Sequence, residues 1–437
     1  MLRTDRQRQV LIIALFCALM LTLSGMAYAD ARTDYDEAHK IMTAAGMCMS
    51  VYGDRYGELA NRYLVQDGWE IEHFAQNYAK TEARFLVARK AFAGGEPMFI
   101  MAIVGTETPG DVRTDLKVDK VYFAGTTLAE FAANADRENI PNNEPKVHKG
   151  FNEFVQAALM TKTHDTEGEE VYLSDFLRNN RERKVILTGH SLGGAAAVLT
   201  GARLISMGVL PEQIEIITFG APAVGNSAFA DKYQTILPLT RIVLDGDPVS
   251  GILQTMVGGY KQFGRVVKWK LPDRTDQPHR IAEYTDLALK KYYDARWEAG
   301  IPWDSQGTSK EGDFQILVTA LINRLPGELQ TEFPYMRESM QDEYHQLQPI
   351  SASEPGTGPG QAALAAGCKW YAVPEVSALR VRDKHSQYYV TLSMTVYDAK
   401  TGAMVGYASN STATALLTPL EAFLHDMKGI RSQLKLE

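Results

Sequence analysis

The sequence has little of several features that define specialised classes of protein. Only 3 of its 437 residues are cysteine, which excludes a small scaffold held together by disulfides. Its 35 glycines and 18 prolines follow no repeat, which excludes a collagen-like chain, and its hydrophobic content of 45% is too high for a disordered one. The chain is therefore expected to be globular, with one large domain and additional segments.

Basic patches are also lacking. The first 29 residues contain three Arg and one Asp, so the rest of the chain has 42 Lys and Arg against 52 Asp and Glu. No polybasic stripe interrupts this acidic balance, which argues against a nucleic-acid partner and against electrostatic attraction to anionic lipid.

The one long apolar run, Val10–Leu23, lies near the N-terminus. Three arginines precede it and Ala27-Tyr28-Ala29 follows it as a small-residue cleavage site, so residues 1–29 are predicted to be a secretory signal peptide. The alternative is an uncleaved membrane anchor, which needs about 20 apolar residues. We therefore expect export to the periplasm or the medium.

The two cysteines outside this segment are Cys48 and Cys368. In an oxidising compartment they are one possible disulfide pair. Two separate buried thiols are an equally good expectation, because cysteine is often simply buried.

The order of predicted elements indicates the fold class. Strands and helices alternate between Lys120 and Ala295, which predicts a mostly parallel sheet flanked by helices, an α/β fold. We expect this domain, with its N-terminal helices, to cover residues 30–348, and residues 310–347 to be helical with a break at Pro326. A Ser/Pro/Gly-rich linker over residues 349–361 then precedes a small α+β module over residues 362–437.

The strongest chemical signal is the G-x-S-x-G motif of residues 189–193. It follows the buried-strand run Val185–Thr188 and opens a helical run rich in alanine. A sharp strand-to-helix turn of this kind exposes a strained serine as a nucleophile, so we predict that Ser191 is catalytic. The alternative is a structural serine in a helix cap.

A serine nucleophile needs a histidine base and an acid that orients the histidine. In this arrangement the acid and then the base follow the serine along the chain. The strand Thr240–Leu244 delivers Asp245 and Asp247 at its carboxyl end, and we favour Asp247 because Pro248 turns the chain sharply after it.

The base must be one of the four histidines that follow Asp247. We favour His279, which lies in a polar loop between a predicted strand and a predicted helix. The three alternatives lie on a charged helix, in a polar turn and on the terminal helix, and they are His345, His385 and His425.

The oxyanion of an acyl-transfer intermediate needs hydrogen-bond donors. The backbone N–H of Leu192, directly after the nucleophile, is one expected donor. Thr106, which follows the predicted strand Phe99–Val104, is the second. Thr106 is also compatible with a plain strand-end turn.

Several short motifs together resemble the class 3 lipases, α/β hydrolases typified by fungal triacylglycerol lipases, and the chain reads as an exported bacterial member. They are Gly105-Thr106, Val147–Phe151, Thr188–Ala197 (TGHSLGGAAA), Thr218–Asn226 (TFGAPAVGN), Asp247-Pro248-Val249 and His279. The resemblance covers about residues 35–295. It implies an α/β-hydrolase fold with Ser191 as nucleophile, Asp247 as acid, His279 as base, and Thr106 with Leu192 as oxyanion hole. His148 matches a structural position.

Two departures from the family pattern concern the lid. Val104 stands where an Arg usually precedes the Gly-Thr pair, and Glu107–Asp111 lacks the Trp often found in the lid region. Two helical runs, Thr127–Ala135 and Phe314–Leu325, are lid candidates, although such spacing more often packs against a core.

These observations predict an exported serine hydrolase that cleaves lipid carboxylic esters without a metal or organic cofactor, with contact to a lipid surface as a further possibility. A phospholipase A1 and a carboxylesterase for soluble esters use the same machinery. The alternative outside enzymes is an inactive hydrolase scaffold whose C-terminal module binds a partner in the cell envelope.

Overall fold

The structure is a computed structural model. It describes residues 30–78, 81–91, 97–105, 119–164, 168–254, 258–271, 277–301, 316–343, 358–382 and 387–434. These residues belong to two compact units. One unit is Ile41–Leu287, and the other joins Ala288–Glu437 to the residues up to Lys40.

The unit Ile41–Leu287 contains eleven described strands. They are β1 (Glu70–Tyr78), β2 (Thr81–Lys90), β3 (Met98–Ile103), β4 (Lys120–Tyr122), β5 (Lys146–His148), β6 (Lys162–His164), β7 (Glu170–Tyr172), β8 (Val185–His190), β9 (Ile214–Phe219), β10 (Leu239–Leu244) and β11 (Arg265–Trp269). Seven of them form one sheet in the order β1-β2-β3-β8-β9-β10-β11. The pairs from β3 to β11 are parallel, while β1, β2 and β3 pair antiparallel. The mostly parallel sheet is thus confirmed.

Helices precede, connect and follow these strands. They are α1 (residues 30–50), α2 (Arg55–Gln66), α3 (Leu128–Ala135), α4 (Lys149–Leu159), α5 (Leu173–Asn179), α6 (Leu192–Ser206), α7 (Ser227–Tyr233) and α8 (Ile281–Glu298), with 3₁₀ turns at Pro211–Gln213 and Val249–Gly251. Both α1 and α8 continue into the second unit. This strand and helix order is an α/β-hydrolase fold, as the resemblance to class 3 lipases implies.

The central strands are buried on both faces. Every residue of β8 is buried, and so are twelve of the fifteen residues of α6. Continuous apolar strands are typical of a parallel sheet that helices cover on both sides. The carboxyl ends of β3, β8, β9 and β10 therefore meet at one edge of a rigid sheet.

The second unit contains a five-stranded sheet. Its elements are β12 (Ile316–Val318), β13 (Ile322–Arg324), a 3₁₀ helix (Gly327–Glu332), α9 (Phe333–Glu343), α10 (Pro359–Ala365), β14 (Trp370–Arg380), β15 (Tyr388–Asp398), β16 (Met404–Ala413) and α11 (Pro419–Leu434). β14, β15 and β16 pair antiparallel, and both β12 and β13 pair parallel with β14. Apolar residues of α9 and α11 share a core with this sheet.

The division between the units differs from the expected one. Residues 316–343 were assigned to the first domain, but β12 and β13 pair with β14, and Met336 and Met340 of α9 belong to the core of the second unit. The helical prediction for residues 310–347 is wrong over β12 and β13 and holds for α9. These two segments of three residues each pair with β14 as short strands instead of continuing a helix. Most of the predicted linker lies outside the described residues.

The lid candidates have different outcomes. Residues 128–135 form helix α3, and Phe131 at its centre is buried in the core of its unit. The second candidate, Phe314–Leu325, forms strands β12 and β13 where the structure describes it, so a helical lid there is wrong.

Three further expectations concern the N-terminus and the cysteines. The predicted signal peptide, residues 1–29, lies outside the described residues. Among the residues that are described, no helix has the length and apolar character to cross a membrane. Cys48 and Cys368 are both buried thiols outside any disulfide, which agrees with the alternative of two separate thiols.

Candidate active site

Ser191 lies in the sharp turn between β8 and α6. Its φ of 57° and ψ of −126° are a strained backbone conformation for a residue with a side chain. The turn is tight because a Cβ atom on Gly193 would lie 2.2 Å from the carbonyl oxygen of Ile103 on β3. The glycines of the motif thus let helix α6 approach the sheet and fix Ser191 at its edge.

His279 lies within hydrogen-bond distance of Ser191. The separation between Nε2 of His279 and Oγ of Ser191 is 2.9 Å. His279 comes from the segment that precedes helix α8, and its side chain is 12% exposed. A serine hydroxyl in this position donates its hydrogen bond to an unprotonated Nε2.

Asp247 holds the other side of the imidazole. It follows β10, and its carboxylate oxygens lie 3.0 Å and 2.9 Å from Nδ1 of His279. The backbone N–H of Val249 donates to Oδ1 at 2.9 Å, and the hydroxyl of Tyr284 donates to Oδ2 at 2.6 Å. The buried carboxylate therefore has a fixed orientation and keeps the proton of His279 on Nδ1.

Gly220 provides the space in which these groups meet. It follows strand β9 with a φ of +59°, a conformation that favours glycine. A Cβ atom there would lie 2.5 Å from Oδ2 of Asp247, 2.8 Å from the hydroxyl of Tyr284 and 3.2 Å from Nδ1 of His279. Only a residue without a side chain fits at this point.

His190 connects the nucleophile turn to the backbone of His279. Its Nε2 lies 2.8 Å from the carbonyl oxygen of His279, and its Nδ1 lies 2.9 Å from the hydroxyl of Tyr52. Burial, followed by the nearby His279, lowers the pKa of His190 to about 3. The His190 ring is therefore neutral at ordinary pH.

The structure brings together three of the five predicted site residues, namely Ser191, Asp247 and His279. Leu192 is the first residue of α6. Thr106 lies outside the described residues.

Two of the four alternatives are among the described residues. Asp245 is exposed, and His425 contacts Thr412 in the second unit. His345 and His385 lie outside the described residues.

Sequence reasoning missed three residues around the site, namely Tyr284, His190 and Tyr52. Two of them carry a local signal, since Tyr284 follows His279 by little more than one helical turn and His190 lies inside the G-x-S-x-G motif. Tyr52 carries none, because it lies more than one hundred residues before the motif and only the fold brings it close.

Part of the chain is similar in sequence to known lipases. Residues 100–255 match the family described as Lipase (class 3). A lipase of Caenorhabditis elegans is 42% identical over 198 residues, which cover 39% of this chain and 55% of the relative. A lipase of Rhizopus niveus is 45% identical over 153 residues, which cover 33% of this chain and 37% of the relative.

Similar solved structures include the Rhizomucor miehei triacylglyceride lipase. It has 19% sequence identity and a TM-score of 0.40, with 55% of this chain and 81% of that chain covered. The matched part of this chain spans 55% of the Caenorhabditis elegans relative and 37% of the Rhizopus niveus relative.

Proposed function

We propose that this chain, whose residues 100–255 match the class 3 lipase family, is a serine hydrolase that cleaves carboxylic esters of lipids. The observation that carries the proposal is the continuous set of contacts from Ser191 to His279 and from His279 to Asp247. A structural serine in a helix cap needs neither partner.

The mechanism follows from the proton positions. Ser191 Oγ attacks the acyl carbonyl carbon while Nε2 of His279 takes its proton, and Asp247 stabilises the imidazolium that forms. His279 then gives this proton to the leaving alcohol, which leaves an acyl-enzyme on Ser191. A water molecule, activated by His279, releases the acid and restores the serine.

Charge on the carbonyl oxygen is stabilised at the start of helix α6. Leu192 is the first residue of this helix, and the first N–H groups of a helix lack acceptors within it. We assign its N–H to the oxyanion hole, where the positive end of the helix dipole adds to the effect. The role of Thr106 as a second donor stays a prediction from the sequence.

Access to the nucleophile bears on the substrate. Ser191 is buried, with 1% of its surface exposed, so solvent reaches the nucleophile poorly in this conformation. A lipase that opens at a lipid–water interface gains activity when its substrate forms aggregates, whereas an esterase for soluble esters follows simple saturation. We propose lipid esters, and phospholipase A1 and soluble-ester activities are the alternatives.

The test compares p-nitrophenyl esters of increasing acyl length, emulsified triacylglycerol and phospholipid vesicles. A rise in rate once long-chain esters exceed their solubility supports a lipase. Hydrolysis of phospholipid at comparable rates identifies a phospholipase. Saturation with short esters alone identifies a carboxylesterase, and inertness toward all substrates favours an inactive scaffold.

We also propose that the protein is exported and that cleavage follows Ala29. Mass spectrometry of the protein from the envelope and the medium of an expressing bacterium tests this, since the mature chain must begin at Asp30. The C-terminal module, residues 362–437, is proposed to bind a partner in the envelope. Retained localisation after deletion of residues 361–437 would argue against that role.

A further inference from the structure

We propose that Tyr52 and His190 form a positioning relay that holds the backbone of His279 against Ser191. This inference rests on the proposed hydrolase function. Neither side chain contacts a reacting atom of the proposed mechanism, so both are positioning residues rather than catalytic ones.

The hydrogen bonds of His190 determine which of its nitrogens carries the proton. The carbonyl oxygen of His279 can only accept, so the 2.8 Å contact requires the proton on Nε2 of His190. In a neutral ring Nδ1 is then an acceptor, and the hydroxyl of Tyr52 must donate to it across 2.9 Å. With the proton on Nε2 of His190, the two hydrogen bonds run in one direction, from Tyr52 through His190 to His279.

The relay acts on nucleophile and base together. His190 directly precedes Ser191, and the N–H of Ser191 donates to the carbonyl of Phe219 at 2.9 Å, which ties this turn to β9. The side chain of His190 then reaches the backbone of His279, and the two imidazole rings lie 4.7 Å apart at 33°. The distance between Ser191 and His279 therefore depends on the orientation of the His190 ring.

Tyr52 lies close to the nucleophile, so a direct role as a donor to the oxyanion must also be considered. A Cβ atom on Gly105 would lie 2.6 Å from the Tyr52 hydroxyl and 3.3 Å from Cβ of Ser191. This places the hydroxyl beside the catalytic turn. Because its single proton is directed to His190, it has none for an oxyanion. Tyr52 thus orients His190 and does not stabilise the transition state directly.

The first experiment measures kcat and KM of Tyr52→Phe with a soluble p-nitrophenyl ester. We expect kcat to fall by about 10- to 100-fold with KM within about twofold, because a small displacement of a base lowers the rate of chemistry without changing substrate contacts. Tyr233→Phe is the matched control. It also loses one hydroxyl contact of 2.9 Å, to Ser206, and should keep the wild-type kcat. Equal kcat in Tyr52→Phe and wild type would overturn the relay.

Two substitutions of His190 separate positioning from packing. His190→Gln keeps an amide N–H that can donate to the carbonyl of His279, whereas His190→Leu keeps bulk and loses the donor. We expect the Gln variant to have a kcat at least about tenfold above that of the Leu variant. Equal activities in these two variants would contradict the relay.

A spectroscopic readout keeps this test separate from the proposed function. The ¹⁵N shifts of His190 at pH 6 should show a protonated Nε2 and an unprotonated Nδ1, and Tyr52→Phe should shift the Nδ1 resonance. A proton on Nδ1, or an unchanged resonance, overturns the relay even if the esters are hydrolysed. Inertness of the wild type toward every ester overturns the proposed function, and the NMR result then decides the relay alone.

Discussion

The hydroxyl of Tyr284 donates a hydrogen bond of 2.6 Å to Oδ2 of Asp247, the same oxygen that lies 2.9 Å from Nδ1 of His279. The same hydroxyl accepts the N–H of Leu244 at 3.3 Å. Tyr284 thus links the end of strand β10 to the carboxylate that follows it. Burial, with Asp247 nearby, raises the pKa of Tyr284 well above that of an ordinary tyrosine, so it remains a donor at every working pH.

Tyr284→Phe should weaken both catalysis and stability. The buried carboxylate loses one of its donors, and hydrogen bonds to a charged group are worth about 2 kcal/mol. We expect kcat to fall by about tenfold and the free energy of unfolding by about 2 kcal/mol. Urea unfolding and steady-state kinetics measure the two effects, and unchanged kcat would show that Asp247 is oriented without Tyr284.

Gly220→Ala should inactivate the protein through a steric clash. The added methyl would lie 2.5 Å from Oδ2 of Asp247, so the acid must move away from His279. We expect kcat to fall by about 100-fold or more. Gly300→Ala is the matched control, because Gly300 has a φ of +60° with no atom within 4 Å of a new Cβ. Similar activity in both variants would contradict this account of Gly220.

Most of the catalytic geometry could be predicted because it depends on local patterns. Ser191 lies in a motif whose strand and helix are each readable from a short window, and Asp247 ends a strand of the same sheet. The expected N-terminal helices also follow from the sequence, and the structure has them as α1 and α2. Parallel strands bring their carboxyl ends to one edge, so chain order alone places the acid near the nucleophile.

The parts that could not be predicted depend on long-range pairing. Strand β14 contains Pro374, which normally argues against a central strand because proline donates no backbone hydrogen bond. In the structure the pairing on one side of β14 is interrupted at Pro374. On that side β12 pairs with β14 only up to Ala372, and β13 begins opposite Glu375. No window of sequence around Pro374 contains this information.

The stability of the second unit should decrease as the pH rises through neutrality. Asp426 on α11 is buried, and burial raises its pKa from 3.8 to about 7 against the opposing effect of the Thr412 hydroxyl, which donates to Oδ1 at 2.6 Å and also contacts His425. Its Oδ2 has no hydrogen-bond partner among the described residues. The folded state therefore binds a proton that the unfolded chain releases between pH 4 and 7, so stability is highest at low pH and is lost as the pH rises through about 7.

Asp426→Asn removes this charge and tests the effect. We expect the variant to be more stable than the wild type by about 4 kcal/mol at pH 8.5 and by only about 1 kcal/mol at pH 4.5. The measurement is urea unfolding at the two pH values. Asp398→Asn is the control, because Asp398 is an exposed carboxylate whose pKa is lowered by hydrogen bonds from Thr401, and it should gain nothing at pH 8.5. If the wild type is as stable as Asp426→Asn at pH 8.5, the pKa of Asp426 is not raised by burial.

Cys48 and Cys368 should both be alkylated once the protein is unfolded without reductant. In the folded state burial raises the pKa of the Cys48 thiol to about 12, so little thiolate is present and alkylation should be slow. Mass spectrometry of the chain beginning at Asp30 should show two added groups after unfolding. A chain that takes up none would contain a disulfide, contrary to the two buried thiols of the structure.

The central claim is that Ser191 is the nucleophile, and covalent labelling of its Oγ tests it most directly. A fluorophosphonate probe should add one covalent group to the wild type, located by peptide mapping at Ser191, and Ser191→Ala should be unlabelled and lose ester hydrolysis by several orders of magnitude. His279→Ala should be labelled far more slowly, because the base no longer takes the serine proton. Wild-type protein that hydrolyses esters while Ser191→Ala retains the same rate would contradict the account.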